Sequence, residues 1–217
     1  MGLGMERNSD LNQENDLFDT PEREPRTLAE LNSAIVSAGT MIPGAGRPVL
    51  GEGPMGAAIA FVGEQPGEQE DIHGRPFVGP AGQLFDRAMA DADIDRSEVY
   101  ITNAVKNFKF QMRGTRRIHQ KPTSGEVKRY RWWLEKELDL LRPKLVVALG
   151  ATAAMALAGR SIAIGRNRGE IRFGHRKGYV TVHPSFLLRI PDEAAREEAY
   201  REFVGDLASI RRLAEHA

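Results

Sequence analysis

The 217-residue sequence contains no cysteine. Disulfides, thiolate-ligated zinc and cysteine-held iron–sulfur clusters are therefore excluded. Long apolar runs are missing as well. No window reaches the roughly 20 apolar residues that span a bilayer, and the N-terminal segment has no hydrophobic region of the kind that directs secretion. Formal net charge is +0, so no global excess draws the whole molecule to a polyanion. These absences point to a cytoplasmic protein with no membrane partner, long enough to bury one sizeable core.

The zero net charge hides an uneven distribution. From Met1 to Glu30 there are eight acidic residues against three arginines, and from Lys106 to Arg131 nine lysines and arginines against one acid, Glu126. Such a basic stripe is either a solvated face or a strip that grips phosphates. Its centre, MRGTRRIHQKP (Met112–Pro122), sets His119 among cations with too little apolar content for a core segment. It reads as a basic loop, which either contacts phosphate only or presents an imidazole to an anionic polymer.

Residues 1–26 are polar and acidic and are expected to form a disordered tail, leaving one domain over 27–217. Thr27 and Glu30 stand at capping-box spacing before a helix, and residues 37–54 are too rich in Gly and Pro for regular structure. Apolar runs at 57–63, 99–105, 144–150 and 179–183 read as strands. Helical spacing occupies 79–92, 123–141, 151–159 and 192–216. The alternation predicts a single-domain, doubly wound α/β sheet of about four parallel strands flanked by helices. Ligands of such sheets bind beyond the carboxyl ends of the strands, which singles out the segments GEQPG, NAVK, LGAT and HPS.

GEQPG has glycines that allow close backbone approach, but no Gly-Lys-Ser/Thr ending, so it is not a phosphate-binding P-loop. Asn103, at the end of the second strand, offers a flat donor–acceptor pair. His183 ends the fourth strand, where a histidine is either structural or functional. Together they form a candidate site at one sheet edge.

The stretches GEQPG, GRPFVGPAG, TNAVKNFKF, RRIH and TVHPSFLLR, in this order, resemble the uracil-DNA glycosylase superfamily, family-4 type, and in particular its UdgX branch. The resemblance runs from about Gly51 to the C-terminal helix. It implies an enzyme that flips uracil out of DNA, preferring single strands, and cleaves the N-glycosidic bond. Phe77 would stack on the base, Gln65, Asn103 and His183 would contact it, and Asn103 would read O4 and N3–H. His183 would donate to O2, where charge collects as the base leaves. Glu64 would face the sugar cation. His119 would attack C1′ and leave the protein joined to the abasic site. Arg116 and Arg117 beside it would favour the neutral ring, and Glu64 would take the other ring proton.

The resemblance also implies DNA contacts from Lys106, from Lys109 beside Phe108, and from Arg113, Arg116, Arg117, Lys121 and Ser185. The partner is uracil-containing DNA, the protein is expected to be a monomer, and when bound it would associate with the nucleoid. Members of this branch carry an iron–sulfur cluster, whose ligand positions fall here near Val36 and Gly39 and at Asn107 and Tyr130. No cofactor is expected. Tyr130, Trp132 or Trp133, with residues 40–50, are expected to fill the vacated volume by apolar packing. Two alternatives stay open: a turning-over uracil-DNA glycosylase, and a non-catalytic DNA-binding module.

Overall fold

In β1 (Ile59–Gly63) and β5 (Leu145–Leu149) every residue is buried, as in central strands covered on both faces. They pair in parallel, and β2 (Tyr100–Asn103) joins β1 on the other side. β7 (Arg176–Thr181) runs parallel to β5, and β6 (Gly169–Phe173) closes the sheet antiparallel to β7. The order is β2-β1-β5-β7-β6. The four parallel strands are those expected from the sequence. β6 escaped notice because its burial alternates, as befits an edge strand with one wet face.

This computed structural model describes residue 21 and residues 23–216. The expected disordered tail lies mostly outside the described residues. Within its described part, Pro25 is buried and Glu24 pairs with Lys136, so the packed surface begins before Thr27.

α4 (Ser124–Leu141) and α5 (Ala151–Ala158) pack on one face of the sheet, with a core that includes Val62, Leu134, Leu138, Val146 and Val180. α3 (Pro80–Asp91) and α8 (Glu193–Glu215) cover the other, over Phe61, Phe85, Val147 and Phe203. The fold is thus doubly wound, as expected. α1 (Leu28–Ala38) lies outside α4, sealing Trp133 beneath Leu31 and Ile35. Both threonine caps form: Thr27 accepts from the Glu30 N–H at 3.1 Å, and Thr123 and Glu126 cap each other. Short helices α2 (Glu68–His73), α6 (Ile164–Asn167) and α7 (Pro184–Leu187) complete the fold. Among the described residues, no helix is long and apolar enough to cross a membrane.

The basic segment read as a loop is a β-hairpin. β3 (Phe110–Arg113) pairs antiparallel with β4 (Arg116–His119), and Gly114 takes φ 62° in the two-residue turn. The register sets Phe110 opposite His119 and Met112 opposite Arg117, so these four share one face.

Candidate active site

The four segments singled out at the strand ends do converge. Gly63 and Asn103 are register partners at the ends of β1 and β2, Gly150 follows β5, and His183 lies just past β7. Asn103, Gly150 and His183 line a cleft of about 1070 Å³ together with Glu64, Phe77, Ala151 and His119. Gly63 must be glycine, since a Cβ there would lie 2.3 Å from Asn103 Oδ1 and 2.6 Å from Phe77 Cζ.

The loop that carries Phe77 is built around a buried carboxylate. Glu70 accepts from the N–H groups of Val78 at 2.9 Å and Gly79 at 2.7 Å with one oxygen, and from Gly67 at 2.9 Å with the other. Phe77 itself holds φ 54°, a conformation costly for a bulky residue and maintained here by its surroundings. Its ring packs on Phe85 at 5.4 Å and lies 5.7 Å from the His183 ring, 33° from coplanar. Phe77 is therefore both core and cleft wall. Asn103 is 2% exposed, and its Oδ1 is sealed with no partner among the described residues. An unpaired buried oxygen costs about 1–3 kcal/mol. A ligand N–H placed at this cleft wall would remove that cost.

His183 has a defined tautomer. Its Nδ1 accepts from the Ser185 backbone N–H at 3.1 Å, so the ring proton sits on Nε2. Burial, and then the charge of Arg189, push its pKa down to about 4. The ring is thus a neutral N–H donor across the physiological range. The Ser185 hydroxyl lies 2.9 Å from the same Nδ1 and accepts from Arg189 at 3.0 Å. It holds the His183 ring and itself lines the cleft.

Glu64 follows β1 directly. Its Oε2 accepts from Thr152 Oγ1, and its Oε1 lies 3.5 Å from His119 Nε2. The sequence reasoning had Glu64 taking the proton of the nitrogen that does not attack. In the structure Nε2 is the ring nitrogen nearest Glu64. The half-exposed His119 ring is carried on β4.

Several expected contacts are corrected by burial or pairing. Gln65 was expected to touch uracil. It lines the cleft, while its amide donates to the Lys109 and Gln120 carbonyls at 3.3 and 3.0 Å and accepts from the Lys109 N–H at 3.3 Å. It clamps the two roots of the hairpin. Lys106 was expected on DNA but is fully buried, with Nζ 2.6 Å from Glu137 Oε2. A lysine with no exposed surface cannot meet a phosphate. Lys109 pairs with Glu126 at 2.8 Å. Arg117 pairs with Glu68 at 3.1 Å and Asp71 at 2.5 Å, and lies over the Phe108 and Phe110 rings. Its charge is therefore balanced by carboxylates, and its task is to hold the hairpin against α2. Arg113, Arg116 and Lys121 remain exposed, with Lys121 on the cleft rim.

Sequence reasoning missed Glu70, Thr152 and Glu137. The spacing of Glu70 three residues after Gly67 was a readable capping signal. Glu137 falls in the apolar stripe of α4 with Tyr130, Leu134, Leu138 and Leu141, and an acid there needs a buried cation.

The residues at the cluster-ligand positions do not fit an iron–sulfur cluster. Val36 is exposed and Gly39 is only the α1 cap. Tyr130 O–H donates to Asn107 Oδ1 at 2.5 Å, and Asn107 Nδ2 donates to the Gly46 carbonyl at 2.8 Å. The Met41 N–H donates to the Tyr130 oxygen at 3.1 Å. These hydrogen bonds close the volume together with the expected apolar packing, in which Tyr130 joins Ile42 in the core and Trp133 packs with Leu31 and Ile35 against Met41 and Leu50.

Residues 50–208 match the Uracil DNA glycosylase superfamily. The chain is similar to the type-4 uracil-DNA glycosylase of Thermotoga maritima, 40% identical over 144 residues, covering 65% of this chain and 71% of the relative. It is similar to the type-4 enzyme of Pyrobaculum aerophilum at 37% over 152 residues, covering 66% and 74%. For that of Archaeoglobus fulgidus the identity is 34% over 170 residues, covering 73% and 81%.

Proposed function

The chain belongs to the uracil DNA glycosylase superfamily, and on that premise we propose that it excises uracil from DNA and stays covalently joined to the abasic site through His119. The observation that carries this reading is the Glu64–His119 contact of 3.5 Å at the mouth of a cleft whose wall holds an unpaired amide oxygen. Single-stranded DNA is the preferred substrate, because an unstacked base reaches the cleft without the cost of opening a duplex.

The geometry supports the following division of labour. Phe77 receives the extruded base against its ring. Asn103 Oδ1 accepts the N3–H of uracil and its amide N–H donates to O4. Cytosine reverses that pattern and leaves groups unpaired, a discrimination of several kcal/mol in favourable sites. His183 Nε2–H donates to O2. As the C1′–N1 bond breaks, its electron pair leaves with the base, and the charge that builds on O2 meets a donor already aimed. The Glu64 carboxylate balances the cation left on the sugar. The His119 Nε2 lone pair then forms the new bond to C1′. The resulting imidazolium is again beside Glu64, and its Nδ1 proton departs to water from the half-exposed ring. A nucleophile held in place reaches effective molarities of about 10⁵–10⁸ M, so an oriented imidazole outcompetes unoriented water.

The test is His119→Ser with uracil-containing single-stranded DNA on a denaturing gel. Wild type is expected to give a shifted band that survives denaturant, and the variant to release uracil and leave a free abasic site. A variant that still crosslinks means another nucleophile. A wild type that gives only abasic product is a turning-over glycosylase, and one that leaves DNA unchanged is a binding module.

A further inference from the structure

Resting on that reading, we propose that Thr152 is a positioning residue that assigns the two oxygens of Glu64 to separate tasks and thereby decides how much of the sugar cation is captured by His119. Thr152 is 2% exposed, in the first turn of α5, and donates from Oγ1 to Glu64 Oε2 at 2.5 Å. The other oxygen, Oε1, is the one 3.5 Å from His119 Nε2.

A glutamate on a loop has three rotatable bonds, and nothing else among the described hydrogen bonds holds this carboxylate. Tied at one oxygen, it has a single orientation, with the second oxygen towards the imidazole. Untied, it can rotate into the cleft of about 1070 Å³, where it would meet water and lose its register with His119. The two fates of the sugar cation depend on this choice. Glu64 facing the ring stabilises the imidazolium as the Nε2–C1′ bond forms. Glu64 turned into the cleft accepts a proton from water, whose oxygen then bonds C1′ to give the free abasic site. Thr152 is sealed behind Glu64, so it acts through that carboxylate and touches neither base nor phosphate.

Thr152→Val keeps the side chain's shape and removes the donor, whereas Thr152→Ser keeps the donor and removes a methyl. Both are compared with wild type on uracil-containing single-stranded DNA at single turnover, following the crosslinked band and free abasic product separately. A hydrogen bond to a charged group is worth about tenfold to a hundredfold in rate. The expected result is adduct formation slowed by about that factor in Thr152→Val, a larger share of free abasic product, unchanged DNA affinity, and near wild-type partition in Thr152→Ser. A folded Thr152→Val with wild-type rate and partition overturns the proposal, as does a Thr152→Ser variant as impaired as the valine. If wild type itself forms no adduct, the parent reading fails instead, and the two failures are told apart in one gel.

Discussion

Replacing Lys106 by methionine measures what the buried charge network is worth. The ammonium lies 2.6 Å from Glu137 Oε2, 2.6 Å from Thr102 Oγ1 and 3.0 Å from the carbonyl of Asn103. Both members of the ion pair have no exposed side-chain surface. Among the described residues, the Tyr100 and Thr102 hydroxyls are the only other groups on the Glu137 carboxylate. Methionine keeps the aliphatic stem and removes the charge, stranding a carboxylate in the core. Breaking a buried pair from one side costs about 3–5 kcal/mol. At about 2–4 °C per kcal/mol for a chain of this size, the melting temperature should fall by about 6–20 °C.

Lys106→Met/Glu137→Leu removes both charges and should recover most of that loss, because an apolar replacement of a whole buried pair is close to neutral. It will stop short of wild type by about 1–3 kcal/mol, the cost of leaving the Tyr100 and Thr102 hydroxyls without an acceptor. Thermal and urea melts of the wild type, both single variants and the double variant close the cycle. A Lys106→Met protein within about 1 kcal/mol of wild type, or a double variant that falls by the sum of the two singles, would refute the reasoning.

Two further outcomes follow from the corrected assignments. Arg116→Ala should lower the slope of log affinity against log salt by about 0.7 on single-stranded DNA, measured by titration over a salt series. Lys106→Met should leave that slope alone, and equal slopes in Arg116→Ala and wild type would remove Arg116 from the interface. For His183 the folded pKa of about 4 lies below the ordinary 6.5, so between these values the unfolded chain binds a proton that the fold refuses. Its contribution to stability is full above pH 6.5 and is lost as pH falls to about 4. The drop in urea midpoint between pH 7 and pH 4.5 should therefore be smaller in His183→Gln than in wild type, and equal drops would count against the assignment.

The sheet was legible because its central strands are runs of buried apolar residues, and a run such as Leu145–Leu149 has few other uses. Helix caps at Thr27 and Thr123 were legible because they are local. Position at the sheet edge located Asn103 and His183, since parallel strands that end together bring their last residues together, whereas Glu64 and Phe77 were named by the resemblance of GEQPG and GRPFVGPAG to the family. Direction was not legible. Gln65 and Lys106 sit in the right segments, but whether a side chain turns to the cleft or the core depends on partners far away: Gln120 is 55 residues from Gln65, and Glu137 is 31 from Lys106. The hairpin was hidden for a similar reason. Its strands are stabilised by contact with α2 through Arg117, Glu68 and Asp71, and not by an apolar pattern of their own.

The same long-range bonds explain how a chain with no cysteine keeps its imidazole in register with Glu64. Residues 40–49 form a strap with no regular structure, the kind of segment that needs external ties. Here Met41 is tied to Tyr130, Gly46 to Asn107 and Phe108, and Val49 to Lys106. From the strap, Arg47 Nε donates to the Asp71 carbonyl at 2.7 Å, fixing α2. Asp71 in turn holds Arg117, two residues from His119 on the same face of the hairpin. Each bond is worth about 1 kcal/mol net, too little for any one to fix the strap, but they share one rigid frame. Hydrogen bonds between a tyrosine and an asparagine can therefore connect strap, α2 and hairpin at the positions where the family places a cluster. Nothing in the chemistry derived for Glu64, Asn103, His119 and His183 draws on more than that frame.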